Sequence, residues 1–508
     1  MTDGDGTTWR AGLALDPDLA LAPVNPLVFG SFIEHMGRCV YTGIFEPGHP
    51  RADRHGFRLD VLDLVRELGV TAVRYPGGNF VSGYRWEDGV GPIEGRPTRR
   101  DRAWKSIEPN DFGLGEFMHW TVKAGVEPIV ALNLGTRGSK EAVELLTYAN
   151  LSDAGAFSDL RRRHGHPEPY DIRTWCLGNE IDGPWQLGHK PADEYGRLAE
   201  ATARAMRETD PGLRLVLCGS SGISMPTFGS WDRTVLEHAF DQTDLISAHA
   251  YYDPEAMAAE EFLASAAEMG QQISSVTEIA DEVARLRGSS KRIGIAFDEW
   301  NVWYMGRHND TPPAEEWRHA PRLCEEQYTV TDAIVVGSLL MTLVRNSDRV
   351  GMACQAQLVN TIAPIRAEPG GSSWRQTTFY PFSMIARHAH GLVLDVVVDG
   401  DQIESGRRGT VPAVDAVATF DPPSRATTVF VVNRSRQHRS AVTVDLRRLG
   451  PAAVIEWLIL ADDDSGATNT EHSPARVRPR SGSWEHARET VTIALPPVSF
   501  GMLRLGPA

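Results

Sequence analysis

Short apolar runs recur along the first three quarters of the chain. Each is followed by a polar cluster and then by a stretch whose apolar positions repeat with a helical period. Eight runs stand out, at residues 27–32, 70–75, 128–134, 172–177, 214–219, 245–250, 293–297 and 351–358. Runs this short and continuous suit strands buried on both faces, as parallel strands are. Amphipathic segments at 57–68, 140–150, 192–208, 274–287 and 326–345 fit the helices that would cover them. Eight strands alternating with helices predict a (β/α)8 barrel, although a doubly wound open sheet would share the local pattern. Beyond about Gly391 the helical period disappears. Six β-rich runs follow, at 393–398, 427–432, 441–446, 453–460, 489–495 and 500–505, separated by turn-rich segments such as Asp421-Pro-Pro-Ser424. This texture predicts an antiparallel β-sandwich. The expected organisation is a catalytic barrel over 25–390 and a C-terminal sandwich over 391–508.

Composition narrows the function. With 508 residues, 42% apolar and 23% charged, the chain is ordinary for a soluble globular protein. The longest apolar candidate, 333–344, is broken by Gly337, Ser338 and Thr342, well short of a membrane span. Met-Thr-Asp-Gly-Asp-Gly at the start is the reverse of a basic secretory leader, so a cytoplasmic location is expected. A net charge of −16 argues against nucleic acid or an anionic membrane as partner. The five cysteines are scattered and form no CxxC pair; there is no HExxH and no phosphate-binding glycine loop. Neither a metal nor another cofactor is expected.

In a barrel, chemistry gathers at the C-terminal ends of the strands. Those positions carry Glu34-His35, Arg74-Tyr-Pro-Gly-Gly-Asn79, Gly178-Asn-Glu180, His249-Ala-Tyr-Tyr252, Asp298-Glu-Trp-Asn301 and Gln357-Leu-Val-Asn360, among others. Glu180 and Glu299 fall at the fourth and seventh strand ends. Either alone could be a solvated strand-end residue, but a barrel makes the two face each other across its mouth. Paired carboxyl groups, one an acid and one a nucleophile or base, are what glycosidic bond cleavage needs. The acid must keep its proton near neutrality, which burial and a negative neighbour favour. Retention of configuration requires the carboxyl groups about 5–5.5 Å apart.

Asn179-Glu180 and Glu299 resemble the acid and nucleophile positions of clan A retaining glycoside hydrolases. Longer segments resemble the family 51 α-L-arabinofuranosidases: Gly30-Ser-Phe-Ile-Glu34, Arg74-Tyr-Pro-Gly-Gly-Asn-Phe-Val-Ser-Gly-Tyr-Arg-Trp-Glu-Asp88, Trp175-Cys-Leu-Gly-Asn-Glu180, Asp298-Glu-Trp-Asn-Val-Trp-Tyr304 and Ala356-Gln-Leu-Val-Asn-Thr-Ile-Ala-Pro-Ile365. The resemblance implies Glu180 as general acid/base and Glu299 as nucleophile. It implies that Glu34, Asn79, Asn179, Tyr251 and Gln357 bind furanose hydroxyls or orient the nucleophile. Gln355, two residues earlier on the same strand, competes with Gln357 for that role. Trp104 and Trp303 match positions that wall the family's pocket. The resemblance further implies exo-acting, retaining cleavage of arabinofuranosyl oligosaccharides, an N-terminal segment 1–24 that joins the sandwich, and a homo-oligomer, often a hexamer. Alternatives are a β-1,4-glucanase or β-xylosidase on the same fold, or an inactive carbohydrate-binding protein.

Overall fold

The structure is a computed structural model that describes residues 8–153, 155–310 and 316–508. The eight apolar runs close into one parallel barrel. Its strands are β1 (Gly30–Phe32), β2 (Ala72–Tyr75), β3 (Glu127–Ala131), β4 (Thr174–Cys176), β5 (Arg214–Leu217), β6 (Leu245–Tyr252), β7 (Gly294–Val302) and β8 (Val350–Ala356). A helix follows each: α1 (Leu59–Leu68), α2 (Leu114–Ala124), α3 (Ser139–Asn150), α4 (Ala192–Thr209), α5 (Ser230–Ala239), α6 (Ser265–Leu286), α7 (Val330–Arg345) and α8 (Phe379–His388). Closure, with β8 hydrogen-bonded to β1, excludes the open-sheet alternative.

Several boundaries move for local reasons. The run at 27–32 begins as a 3-10 turn over Pro26–Phe29, because the Asn25 side chain accepts a hydrogen bond from Leu27 N and Pro26 has no N–H to give to a ladder. The helix expected from 326 starts at Val330. Thr329 caps it by accepting from Asp332 N, while Asp332 accepts from Thr329 N, which satisfies two helix-end donors at once. Helix α6 begins earlier than its amphipathic core, at Ser265.

The β-rich part forms a ten-stranded sheet. Its order is Arg480–Ser481, Ala452–Leu460, Ser499–Pro507, Ala426–Asn433, Val414–Asp421, Leu392–Gly400, Trp9–Pro23, Ser440–Asp445, Thr490–Leu495 and Trp484–Ala487. All neighbours are antiparallel except Trp9–Pro23 and Ser440–Asp445, which run parallel in the register Ala11↔Val442. Residues 1–7 of the expected N-terminal segment lie outside the described residues. The sheet curls on itself, so Leu13, Leu15, Val431, Val444, Ile493 and Leu503 share one core. The strand Val414–Asp421 has no counterpart among the sequence runs, because Ala416 and Ala418 dilute its apolar pattern.

Helix α7 joins the two parts. It is buried along nearly its whole length, and Val417, Phe430, Val432, Phe500 and Met502 of the sheet belong to the same apolar cluster as α7 and the barrel. Gly337 permits the approach: a Cβ there would lie 2.8 Å from the Phe500 ring. Asp415, on the sheet, accepts hydrogen bonds from Arg345 at the end of α7 and from Arg434, each at 2.7 Å.

Candidate active site

A cavity of about 500 Å³ opens at the C-terminal ends of the barrel strands. Glu34, Asn79, Trp104, Glu180, Tyr251, Glu299, Trp303 and Gln357 all line it. Asn179 lies just beneath, buried.

The geometry begins at an irregularity in β7. Successive residues of a regular strand point to opposite faces, but the pairing with β6 shifts register between Ala296 and Glu299. Asp298 and Glu299 therefore both turn into the barrel. Glu299 Oε1 accepts from Arg74 Nη1 at 2.9 Å, and Oε2 accepts from the Tyr251 hydroxyl at 2.7 Å. The other Arg74 nitrogens reach Asn179 Oδ1 at 2.7 Å and, through Nε, Asp298 Oδ2 at 3.1 Å. One buried guanidinium thus holds three groups, a task that suits its rigid fork of donors. Asn179 Nδ2, by contrast, has no hydrogen-bond partner among the described residues although it is buried.

Glu180 sits at the turn after β4, with φ of +45°. Its Oε1 faces His249 Nδ1 at 2.8 Å, and its Oε2 accepts from Trp185 Nε1 at 2.8 Å. Burial raises the Glu180 pKa, and the charge of Glu299 pushes the same way, while the hydrogen bonds from His249 and Trp185 oppose them. Burial alone would discharge His249, but Glu299, Asp298 and Glu180 hold its pKa well above the ordinary value. His249 Nε2 lies 3.3 Å from Asp298 Oδ1. Asp298 would be raised by burial; Arg74 and His249 instead keep it below the usual carboxylate range.

The floor and walls come from other loops. Glu34 Oε1 accepts from Phe80 N at 2.9 Å and from Trp104 Nε1 at 2.8 Å. Its Oε2 accepts from Gln357 Nε2 at 3.3 Å. Burial pushes the Glu34 pKa up to about 8, and the neighbouring Glu299 and Asp101 add to the rise. Of the two glutamines at the C-terminal end of β8, Gln357, just past the strand, lines the cavity, whereas Gln355 donates to Asn301 Oδ1 at 3.2 Å. Trp303 meets Tyr251 edge-on, ring centroids 5.1 Å apart.

Four residues central to this network carried no role in the sequence reading: Arg74, His249, Asp298 and Trp185. The first three stand in strand-end clusters already picked out by their polarity. What hid them was direction, since a strand-end residue can face the lumen or the helices, and the β7 register shift has no sequence signature. Trp185 lies in the loop after β4, in no strand-end cluster.

Glu180, His249 and Glu299 bring ligand-type atoms within 4.8 Å of one another, close enough to consider a cation. The donor set argues otherwise. Both Glu299 oxygens already accept from Arg74 and Tyr251, and a fixed guanidinium stands 2.9 Å away. The same spacing brings a Glu180 oxygen within 4.8 Å of a Glu299 oxygen.

Two close carboxyl groups at the fourth and seventh strand ends of a barrel, in a cavity walled by tryptophans, are the arrangement that paired-carboxylate glycoside hydrolysis requires. Residues 64–269 match the α-L-arabinofuranosidase 1 domain, and residues 298–499 match the α-L-arabinofuranosidase C-terminal domain. The chain belongs to the α-L-arabinofuranosidases of glycoside hydrolase family 51. It is 53% identical, over 97% of its length and 75% of the relative's, to an intracellular exo-α-(1→5)-L-arabinofuranosidase of Streptomyces lividans. Against an intracellular exo-α-(1→5)-L-arabinofuranosidase of Bifidobacterium longum it is 45% identical, over 98% of this chain and 93% of that one. A solved family 51 α-L-arabinofuranosidase from Bifidobacterium longum superposes with a TM-score of 0.94 at 46% identity, covering 98% of this chain and all of the other.

Proposed function

We propose that this protein is an exo-acting, retaining α-L-arabinofuranosidase that removes terminal non-reducing α-L-arabinofuranosyl residues from arabinose-containing oligosaccharides. The observation that carries the reading is the spacing of Glu180 and Glu299, whose oxygens approach within 4.8 Å. Inverting hydrolysis holds its carboxyl groups about 6.5–9.5 Å apart to admit a water, while retention uses about 5–5.5 Å.

In this reading Glu299, aimed by Arg74 and Tyr251, attacks the anomeric carbon. Glu180 gives its proton to the departing glycosidic oxygen, and an arabinosyl ester forms on Glu299. Forming the ester consumes the Glu299 charge, which had helped to raise the Glu180 pKa. With that repulsion gone, His249 and Trp185 favour the ionised form of Glu180, now the base that activates water for the second displacement. The unpartnered Asn179 Nδ2 supports a hydrogen bond to a sugar hydroxyl that strengthens in the transition state. Glu34, Asn79 and Gln357 supply further hydroxyl contacts, with Trp104 and Trp303 as the walls.

The relatives named intracellular support action in the cytoplasm on imported oligosaccharides. Among the described residues no helix is long and apolar enough to cross a membrane. We read residues 25–390 as the catalytic unit, with 391–508 and the segment 1–24 as its sandwich partner, and the working enzyme as a homo-oligomer.

The test is hydrolysis of p-nitrophenyl α-L-arabinofuranoside and of an α-1,5-linked arabinobiose, beside the β-D-xyloside and β-D-glucoside. Proton NMR follows the anomer first released. Retained configuration, loss in both Glu180→Ala and Glu299→Ala, and azide rescue of Glu180→Ala agree with the reading. Inverted product, or preference for a β-glycoside, overturns it.

A further inference from the structure

A separate two-stranded hairpin of the C-terminal domain docks against the barrel. Strands Gln402–Glu404 and Thr410–Pro412 pair antiparallel, and between them the turn Gly406–Arg408 docks on the segment that follows β6. Three arginines of the C-terminal domain meet three glutamates of the barrel domain there. Arg407 donates to Glu261 Oε1 at 2.9 Å, Arg436 donates to Glu260 Oε1 at 3.0 Å, and Arg408 Nη2 lies 3.4 Å from Glu268 Oε1. Arg408 differs from the other two. Its side chain is only 5% exposed, whereas theirs are more than half exposed. It donates to the backbone oxygen of Glu261 and lies over the Tyr252 ring, 5.6 Å from the centroid.

Both partners of Arg408 lead to the catalytic carboxylates. Tyr252 follows Tyr251, whose hydroxyl is bonded to Glu299 Oε2. The Tyr252 backbone oxygen also accepts from Trp303 N at 3.0 Å, which fixes the cavity wall. Glu268 lines the cavity, and one turn along α6 Gln272 donates to the His249 oxygen at 3.1 Å.

We propose that Arg408 is a positioning residue for the reaction: from the C-terminal domain, it clamps the end of β6 between Tyr252 and Glu268 and so sets the Tyr251 hydroxyl against Glu299. The sheet domain then completes the active site in addition to packing against the barrel. A free guanidinium would gain little from one exposed carboxylate. Buried, forked between a carbonyl and Glu268, and stacked on an aromatic ring, it fixes the orientation of all three.

The inference rests on Glu299 as the nucleophile and Tyr251 as its donor. The experiment is a double-mutant cycle in kcat on p-nitrophenyl α-L-arabinofuranoside, using the full chain with Arg408→Met, Tyr251→Phe and the double variant. Arg408→Met keeps the volume and loses the fork. It is expected to lower kcat about tenfold with KM within about twofold, as misalignment of a reacting group does. In the Tyr251→Phe background the same change should cost less than about twofold, because the hydroxyl it places is gone. Arg436→Met, which breaks a docking pair without touching Tyr252, should leave kcat unchanged. Arg408→Lys keeps the charge without the fork and should lie between wild type and Arg408→Met; it carries the cycle if the methionine variant does not fold. Multiplicative losses in the cycle, or a loss in Arg436→Met equal to that in Arg408→Met, would overturn the proposal. An inactive, folded wild type would instead sink the functional reading itself.

Discussion

Gly78 stands where Glu299, the proposed nucleophile, converges with Asn179 and Glu34, and a methyl group there tests the whole arrangement. A Cβ at this position would lie 2.9 Å from Glu299 Oε1, and 3.4 Å from both Asn179 Nδ2 and Glu34 Oε2. The backbone is not in the left-handed region, with φ of −87° and ψ of −100°, so the clash with Glu299 dominates. A flexible carboxylate would step aside cheaply. Glu299 cannot, because the crowded oxygen is the one bonded to Arg74 Nη1 at 2.9 Å and its partner oxygen is bonded to Tyr251. Relief requires stretching the Arg74 bond by a few tenths of an ångström or rotating the carboxylate off the Tyr251 hydroxyl. Loss of one hydrogen bond to a buried charge costs about 1.5–3 kcal/mol. If that bond aligns the attack, the cost is a fall of roughly 10- to 100-fold in kcat/KM. Gly78→Ala should therefore be slow and yet fold normally. The assay is kcat/KM on p-nitrophenyl α-L-arabinofuranoside, with a thermal melt by circular dichroism to confirm the fold. Activity within threefold of wild type would refute the crowding argument and with it the rigidity assigned to Glu299.

Other outcomes follow from the same structure. Because burial and Glu299 raise the Glu180 pKa, the acid stays protonated above the usual carboxylate range. The fall of kcat/KM at alkaline pH should then lie above 4.5, and Glu180→Ala should abolish that limb in a pH profile. Glu34 has its folded pKa raised from 4.5 to about 8, so folding favours the protonated form and the wild type loses stability as pH rises between those values. Glu34→Gln should accordingly melt higher than wild type at pH 9, with the gap closing below pH 4.5; melts at both pH values check this. Phe500→Ala should cost about 3–5 kcal/mol by leaving a hole over Gly337. Urea unfolding measures that cost, and a loss below 1 kcal/mol would mean that α7 and the sheet do not fold as one core.

The barrel was legible because its strands are buried on both faces and announce themselves as unbroken apolar runs. Its register was not. Nothing in Ile293-Gly-Ile-Ala-Phe-Asp-Glu shows that the strand slips just before Glu299 and turns two neighbouring carboxylates the same way. Glu180 and Glu299 could be picked out because polar residues in a strand end are conspicuous. Arg74 sat in the most distinctive motif of the chain without a role, because its three partners come from the turn after β4 and from β7, more than a hundred residues away. The Arg408 hairpin was invisible for a related reason: a short basic turn in a β-rich region looks like solvated surface until the barrel beneath it is placed.

The strand Trp9–Pro23 lies between Leu392–Gly400 and Ser440–Asp445, so the chain enters the sheet, leaves it for the entire barrel, and returns. During synthesis this strand leaves the ribosome more than 360 residues before its partners exist. Ala11, Leu13 and Leu15, which end up fully covered, must wait in solvent while the barrel is made. The growing chain therefore carries a sticky, unmated edge for most of its translation, a liability for aggregation that ends only when the last third of the polypeptide arrives. Once the stitch is made, the barrel is anchored at both ends of its own sequence, and neither part can peel away without the other letting go.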